Sequence, residues 1–167
     1  MNHLVISCIG PDRVGIVDTL STIISRHNGN WQVSSLHHLS NFFAGVIEVA
    51  VEKKNTEALT ADLKDIAGLS CQIALAEPNL AQVSTHLVLE LTANDRAGIV
   101  QEISSVIHHQ GGNLIKLVSS QSSAPHTGQL MFKATAQVAM KDDNLDELIS
   151  ALEHIADDLM VDITTSS

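Results

Sequence analysis

The residues GPDRVGIV at positions 10–17 return as ANDRAGIV at positions 93–100, and this repetition decides the fold. Equivalent positions of the two stretches are offset by 83 residues, about half of the 167-residue chain. The same offset relates two further pairs: His3-Leu4-Val5 with His86-Leu87-Val88, and Gly29-Asn30 with Gly112-Asn113. Because chance rarely holds one register over so long a stretch, the sequence is a duplication of one structural unit.

The first predicted element of each copy is a β-strand with one buried face. In the first copy Leu4, Ile6 and Cys8 alternate with other residues, and this period of two is typical of such a strand. The second copy indicates which face is inside, because Glu90 and Thr92 would be expensive to bury. The positions of Leu4, Ile6 and Cys8 are therefore predicted to face the core.

The remaining elements follow the same order in both copies. Apolar residues at helical spacing predict one helix directly after the repeated stretch and a second helix before the last strand. Between the two helices of each copy, alternating segments and turn residues predict one hairpin. Its strands are at 31–39 and 42–52 in the first copy and at 114–122 and 128–140 in the second. The second hairpin has the longer tip, Ser122–Thr127.

The βαββαβ order places the chain in the α+β class, as two tandem ferredoxin-like domains. Each is predicted to be an antiparallel four-stranded sheet with both helices on one face. In this topology the last strand lies beside the first, so Cys8 and Cys71 should be neighbours in the core. The predicted boundaries are 1–76 for the first domain, 77–85 for the linker and 86–167 for the second domain. Such small units gain stability by packing together, so an extensive interface between them is expected.

Composition limits the classes of partner. Nine Lys and Arg face nineteen Asp and Glu, for a formal charge of −10, which disfavours a direct contact with nucleic acid. The imbalance is greatest in residues 84–167, with four basic and eleven acidic side chains, and this half better suits a basic protein partner. No apolar run is long enough for a membrane span and no signal peptide is recognisable, so a cytoplasmic protein is expected.

The repeated turn is the candidate functional site. A helix N-terminus presents unpaired N–H groups and the positive end of the helix dipole, which together suit a carboxylate. Gly15 and Gly98 are predicted in the first helical turn, either to open the backbone to a ligand or to let helix and strand pack closely. Asp12 and Asp95 occupy the predicted N-cap positions.

The other polar residues of the repeat have two interpretations each. Arg13 and Arg96 either contact a ligand or pair with acids on the surface. Asn30 and Asn113 follow the helix-ending glycines, where asparagine usually serves the backbone of a turn, although their amides could also reach a ligand.

The pattern Asp-Arg-x-Gly-Ile-Val after a strand, followed by Gly-Asn before the next strand, resembles the ACT domain. Two copies filling a chain of this size resemble the glycine cleavage system transcriptional repressor family. The resemblance covers roughly residues 3–76 and 86–164. It implies an amino-acid effector, with glycine or serine the expected identity, bound at an interface between domains. It also implies regulation through a protein partner such as a LysR-type activator, and it leaves a homodimer open.

The resemblance assigns the effector contacts to the repeated turn and to the start of the second strand. Carried over residue by residue, these are Asp12, Arg13, Val14, Gly15 and Asn30 in the first copy and Asp95, Arg96, Ala97, Gly98 and Asn113 in the second. Two departures between the copies leave open that their sites differ or that one of them is inactive. The tip Ser122–Thr127 has no counterpart in the first copy, and Pro11 is replaced by Asn94.

Other functions are less well supported, and no catalytic residue, metal ligand or cofactor is predicted. An acylphosphatase-like enzyme shares the βαββαβ order and an Arg in this turn, but Asp12 and Asp95 would repel a phosphate. The adjacent pairs His37-His38 and His108-His109 lack the spacing of a zinc site. RNA binding on the sheet would need exposed aromatic side chains, and the chain has three Phe, one Trp and no Tyr. A ligand-free adaptor that joins partners through its sheets remains as the alternative.

Overall fold

The computed structural model describes residues 1–77, 85–140, 144–155 and 157–165. The chain divides into two compact units, Met1–Leu80 and Ala81–Ser167. Most of the predicted linker, residues 77–85, lies outside the described residues. Its last residue, Thr85, opens the first strand of the second unit.

The first domain has the predicted βαββαβ order. Its elements are β1 (Asn2–Pro11), α1 (Ile16–Arg26), β2 (Asn30–Leu39), β3 (Phe42–Val51), α2 (Thr56–Lys64) and β4 (Ser70–Ala76). The strands form one antiparallel sheet in the order β2-β3-β1-β4. The last strand therefore lies beside the first, and the predicted pair Cys8 and Cys71 face each other directly across β1 and β4.

The second domain repeats this architecture. Its elements are β5 (Thr85–Asn94), α3 (Ile99–His109), β6 (Gly112–Ser123), β7 (Leu130–Met140), α4 (Leu145–Glu153) and β8 (Met160–Thr165). The sheet order is β6-β7-β5-β8, and every described pairing is antiparallel. The predicted fold class, two ferredoxin-like α+β domains in tandem, is confirmed.

The core of each domain lies between the sheet and its two helices. In the first domain Leu4, Ile6 and Cys8 are buried as predicted, whereas Val5 and Ile9 on the opposite face of β1 are exposed. The helices contribute one buried stripe each, Ile16, Leu20, Ile23 and Ile24 from α1 and Leu59 and Leu63 from α2. Both helices therefore cover the same face of the sheet.

The two hairpins end differently, and one predicted tip was misplaced. In the first domain Ser40 and Asn41 have positive φ angles of 48° and 66°, typical of the tight two-residue turn that matches strand twist. In the second domain Ser122 and Ser123 still pair with Met131 and Leu130, so the strands run on beyond the predicted start of the tip. The loop is residues 124–129.

The helices are short. None of the helices in the described part of the chain combines the length and the apolar character that a membrane span requires.

Candidate functional site

The turn from the first strand to the first helix is open in both domains. Gly15 and Gly98 have φ angles of 88° and 86°, in the left-handed region that favours glycine. Each is the N-cap residue of its helix rather than part of the first turn, which corrects the predicted position. A β-carbon built on either glycine would meet no atom within 4 Å. The alternative of close packing between helix and strand is therefore wrong, and the backbone conformation explains the glycine.

Neither aspartate caps a helix, contrary to the prediction. Asp12 Oδ2 lies 2.5 Å from His38 Nδ1, and Asp95 accepts a hydrogen bond from the Gln121 side-chain amide. His38 and Gln121 are equivalent by the 83-residue offset, so both domains tie this turn to the far end of the second strand. Among the described residues no side chain caps α1 or α3. The first N–H groups of α1 are consequently available to a ligand or to water, whereas in α3 the Ile99 N–H donates to the Arg96 carbonyl over 3.4 Å.

The turn also projects outward. Val14 is fully exposed, and Ala97 at the equivalent position is exposed as well. Behind them the amides of Asp12 and Asp95 donate to the carbonyls of Asn41 and Leu130, each over 2.9 Å, which fastens the base of the turn to the neighbouring hairpin. The turn therefore presents a fixed backbone with little side-chain cover.

The two arginines of the repeat have different partners. Arg13 donates from Nη1 to the carbonyl of Ala67 over 2.7 Å, and no carboxylate pairs with it among the described residues. Arg96 instead binds Glu102 through two hydrogen bonds of 3.0 Å and 2.5 Å. The position of Glu102 is Thr19 in the first domain, which offers no charge. Pairing with a surface acid is thus correct for Arg96 and wrong for Arg13.

The loop before the last strand reinforces this difference. Ala67 and Gly68 in the first domain correspond to Asp157 and Asp158 in the second, in the register that aligns Cys71 with Val161. The backbone N–H of Asn94 donates to Asp158 Oδ2 over 2.6 Å. The equivalent Pro11 cannot make this bond because it has no backbone N–H. The second turn is therefore bonded to two carboxylates, those of Asp158 and Glu102, whereas the equivalent residues of the first domain, Gly68 and Thr19, carry no charge.

Asn30 and Asn113 lie away from the turn within their own domains. Asn30 pairs with Ala50, which pairs with His3 near the start of β1. Gly10, where the turn begins, is seven residues further along β1, a distance of about 20 Å at the usual rise of a strand. Asn113 has the equivalent position opposite Ala139. Within one domain the structure does not bring these amides together with Asp12, Arg13, Val14 and Gly15.

Sequence reasoning missed a surface that Arg13 shares with the helices. A concavity of about 350 Å³ between α1 and α2 is lined by Arg13 and Arg26 together with Asp62 and Asp65, as well as by apolar side chains. Asp62 is bonded to His27 Nε2 over 2.7 Å and forms a longer ion pair of 3.9 Å with Arg26. A signal was present in the sequence, because Asp62 and Asp65 are spaced to share one face of the predicted second helix. The concavity that Arg13 borders is thus lined by both positively and negatively charged side chains.

The corresponding surface of the second domain is different. A concavity of about 340 Å³ is lined by Gln101, Glu102, Ser105, Val106 and Ile155, and Glu102 is already bound to Arg96. In the described residues no three histidine, cysteine, aspartate or glutamate side chains converge as metal ligands. Among the described residues, the surface of the first domain thus carries an arginine without a carboxylate partner, and the corresponding surface of the second domain does not.

The ion pair of the second domain predicts a pH dependence. Hydrogen bonds from Arg96 hold the pKa of Glu102 below its usual range. A carboxylate with a lowered folded-state pKa contributes stability above its unfolded pKa, about 4.3 for Glu, and this contribution disappears as the pH falls through the folded value. Arg96→Gln is expected to raise the Glu102 pKa, as measured by NMR titration of the side-chain carboxyl. Identical titration in both proteins would contradict the pairing.

Part of the chain matches a known protein family, and nearly the whole chain resembles solved structures. A family model described as the ACT domain matches residues 2–70. The chain is similar to the crystal structure of an unknown protein from Galdieria sulphuraria, with 23% identity, a TM-score of 0.85 and 99% coverage of each chain. It is also similar to the crystal structure of a candidate glycine cleavage system transcriptional repressor, with 18% identity and a TM-score of 0.69 over 99% of this chain and 98% of the other. At these identities the two structures establish a shared fold. No curated protein matches the chain.

Proposed function

Because the ACT-domain family model matches residues 2–70, which make up most of the first domain, we propose that the protein is an amino-acid-sensing regulator of the ACT type. The effector is a small amino acid, with glycine or serine as the expected identity. The regulated protein is a transcriptional activator of glycine metabolism, of the LysR type, reached by protein–protein contact. The protein acts in the cytoplasm and is not itself an enzyme.

One observation carries the effector proposal: Arg13 has no carboxylate partner among the described residues. Within the described part of the chain its guanidinium donates to a single backbone carbonyl, that of Ala67, and it lies in the same turn as the start of α1, where no side-chain cap is described. A guanidinium and free backbone N–H groups are the donors that a carboxylate accepts most strongly. The α-carboxylate of an amino acid is therefore expected to bind beside Arg13.

The ammonium group of the effector has partners on the same surface. Asp65 lines the concavity that Arg13 borders and forms no ion pair with the described residues, whereas Asp62, also in the lining, is already bonded to His27 over 2.7 Å. A ligand with one positive and one negative end is therefore matched at both ends. The open backbone beside Gly15 leaves room for a side chain as small as that of glycine, alanine or serine.

The second domain is assigned the contact with the protein partner. The polar groups of its turn already have partners within the domain. Arg96 is bonded to Glu102, and the backbone N–H of Asn94 is bonded to Asp158. Its half of the sequence carries eleven acidic and four basic side chains. Such a surface attracts a basic partner and speeds its association at low ionic strength. The partner complex is thus expected to weaken as salt is raised.

Calorimetric titration of the full chain tests the effector proposal. Glycine, serine and alanine are expected to bind with one molecule per chain, since only the first turn has an uncompensated arginine. Glycinamide, which keeps the ammonium group and lacks the carboxylate, serves as the matched control and is expected to release no heat. If none of the twenty amino acids binds, the protein is instead the ligand-free adaptor. Two equal sites per chain would contradict the assignment to the first domain.

A further inference from the structure

The first domain contains a pair of buried cysteines that the effector site does not use. Cys8 on β1 and Cys71 on β4 are directly opposite each other, and their sulfur atoms lie 2.7 Å apart. Both side chains are buried, with exposed fractions of 3% and 9%. They are the two cysteines of the chain.

The pairing register places the two backbones within the range that a disulfide spans. Residues directly opposite in an antiparallel pair have α-carbons about 4.5 to 5.5 Å apart. Disulfides span α-carbon distances of about 4.4 to 6.8 Å, with sulfurs about 2.05 Å apart. The two sulfurs, now 2.7 Å apart, would have to approach by about 0.65 Å to join Cys8 and Cys71.

The second domain shows that the fold does not depend on thiols at this place. The equivalent residues, Leu91 on β5 and Val161 on β8, face each other in the same register. Leu91 is buried in the core of its domain, and Val161 packs against that core. Hydrocarbon side chains thus fill the site equally well, so packing alone gives no reason for two cysteines in the first domain.

We propose that Cys8 and Cys71 are a redox modification site that forms a reversible disulfide within the first domain. The oxidant is of the peroxide class. The Cys71 thiolate attacks one peroxide oxygen, giving a sulfenic acid and releasing hydroxide. The Cys8 sulfur then attacks the Cys71 sulfur, and the sulfenic oxygen leaves as water. In total, two thiols and hydrogen peroxide give one disulfide and two water molecules.

The environment assigns the roles of the two sulfurs. The hydrogen bond with Cys71 and burial in the core raise the pKa of Cys8, which disfavours the Cys8 thiolate. Since the thiolate is the reactive form of cysteine, Cys71 is the attacking sulfur. It also lies on β4, an edge strand of its sheet, where local opening gives a small oxidant access more readily than at the central β1.

The bond would act next to the effector site, although the proposal does not depend on that site. Cys8 is two residues before Gly10, where the turn begins. Cys71 follows the loop whose Ala67 carbonyl accepts the Arg13 hydrogen bond. A disulfide would fasten this loop to β1 and close a chain segment of 62 intervening residues, which restricts the unfolded state strongly. Oxidation is expected to raise the melting temperature of the first domain by about 10 °C.

The test uses the full chain, folded and reduced, exposed to hydrogen peroxide at a modest excess. The expected product has lost the mass of two hydrogen atoms, has no titratable thiol after denaturation, and gives a peptide in which Cys8 is joined to Cys71. Dithiothreitol should restore both thiols and the original melting temperature. The matched control is the double variant Cys8→Leu and Cys71→Val, which copies Leu91 and Val161 and should neither change mass nor gain stability.

Three results would overturn the proposal. One is a product that gains oxygen atoms and retains no link between the two peptides. Another is a disulfide that joins two chains. The third is a folded protein in which both thiols survive while a small-molecule thiol in the same solution is fully oxidised.

Discussion

Arg13→Gln is expected to weaken amino-acid binding by between tenfold and a hundredfold. Arg13 donates to the Ala67 carbonyl and has no described carboxylate partner, so its positive charge is available to the carboxylate of the effector. A hydrogen bond between charged groups contributes about 1.5 to 3 kcal/mol, and each 1.4 kcal/mol corresponds to about a tenfold change in affinity. Glutamine keeps a donor of similar length and removes the charge. The measurement is calorimetric titration with glycine and serine.

The chain provides its own control in Arg96→Gln. Because Arg96 is bound to Glu102 through both terminal guanidinium nitrogens, its loss is expected to change effector affinity by less than twofold. Thermal melting of both variants shows whether each remains folded. Equal losses in the two variants would assign the effector to both turns. Unchanged affinity in Arg13→Gln, with binding intact, would place the effector elsewhere and leave the sensor function standing without this site.

The architecture could be predicted because every element is written twice. The inner face of β1 was ambiguous on its own, since residues 4–9 are nearly all apolar. Glu90 and Thr92 in the second copy resolved it, and the buried positions agree. The neighbouring positions of Cys8 and Cys71 then followed from topology alone. Duplication thus converts a single ambiguous pattern into two independent observations of one fold.

The contacts of the candidate site could not be predicted in the same way. Arg13 and Arg96 occupy equivalent positions in nearly identical turns, yet they differ because of Thr19 and Glu102 six residues later. The other determinant is more distant, since Ala67 is 54 residues from Arg13. Side-chain partners depend on what the rest of the domain places nearby, and a local repeat does not carry that information.

The placement of Asn30 illustrates the same limit. The repeat of Gly-Asn in both copies associates it with the turn, but α1 carries the chain back along the sheet before β2 begins. The start of β2 consequently lies near the start of β1, and it is His38 at the other end of β2 that reaches Asp12. A role of Asn30 and Asn113 in effector binding stays a prediction. Such a role would involve a surface other than the turn of the same domain.

Gly10→Ala is expected to destabilise the first domain by about 3 kcal/mol and to lower its melting temperature by about 10 °C or more. A β-carbon at Gly10 would lie 2.1 Å from the carbonyl oxygen of Gly68. Both groups belong to backbone, so relief requires movement of β1 or of the loop before β4. The loop also carries the Ala67 carbonyl that positions Arg13, and its displacement should weaken effector binding as well. Thermal melting and hydrogen exchange of β1 and β4 measure the effect.

The second domain supplies the counterpart, because the position of Gly10 is Ala93 there and that alanine is buried at 1% exposure. The loop facing it carries Asp158, whose carboxylate is bonded to the Asn94 amide, so this domain accommodates a methyl group at the same point of the sheet. Ala93→Gly should therefore cost only about 1 kcal/mol, from the lost methyl burial and the added freedom of the unfolded chain. If Gly10→Ala destabilises the first domain by no more than Ala93→Gly destabilises the second, the close approach of Gly10 to Gly68 does not hold the first turn in place.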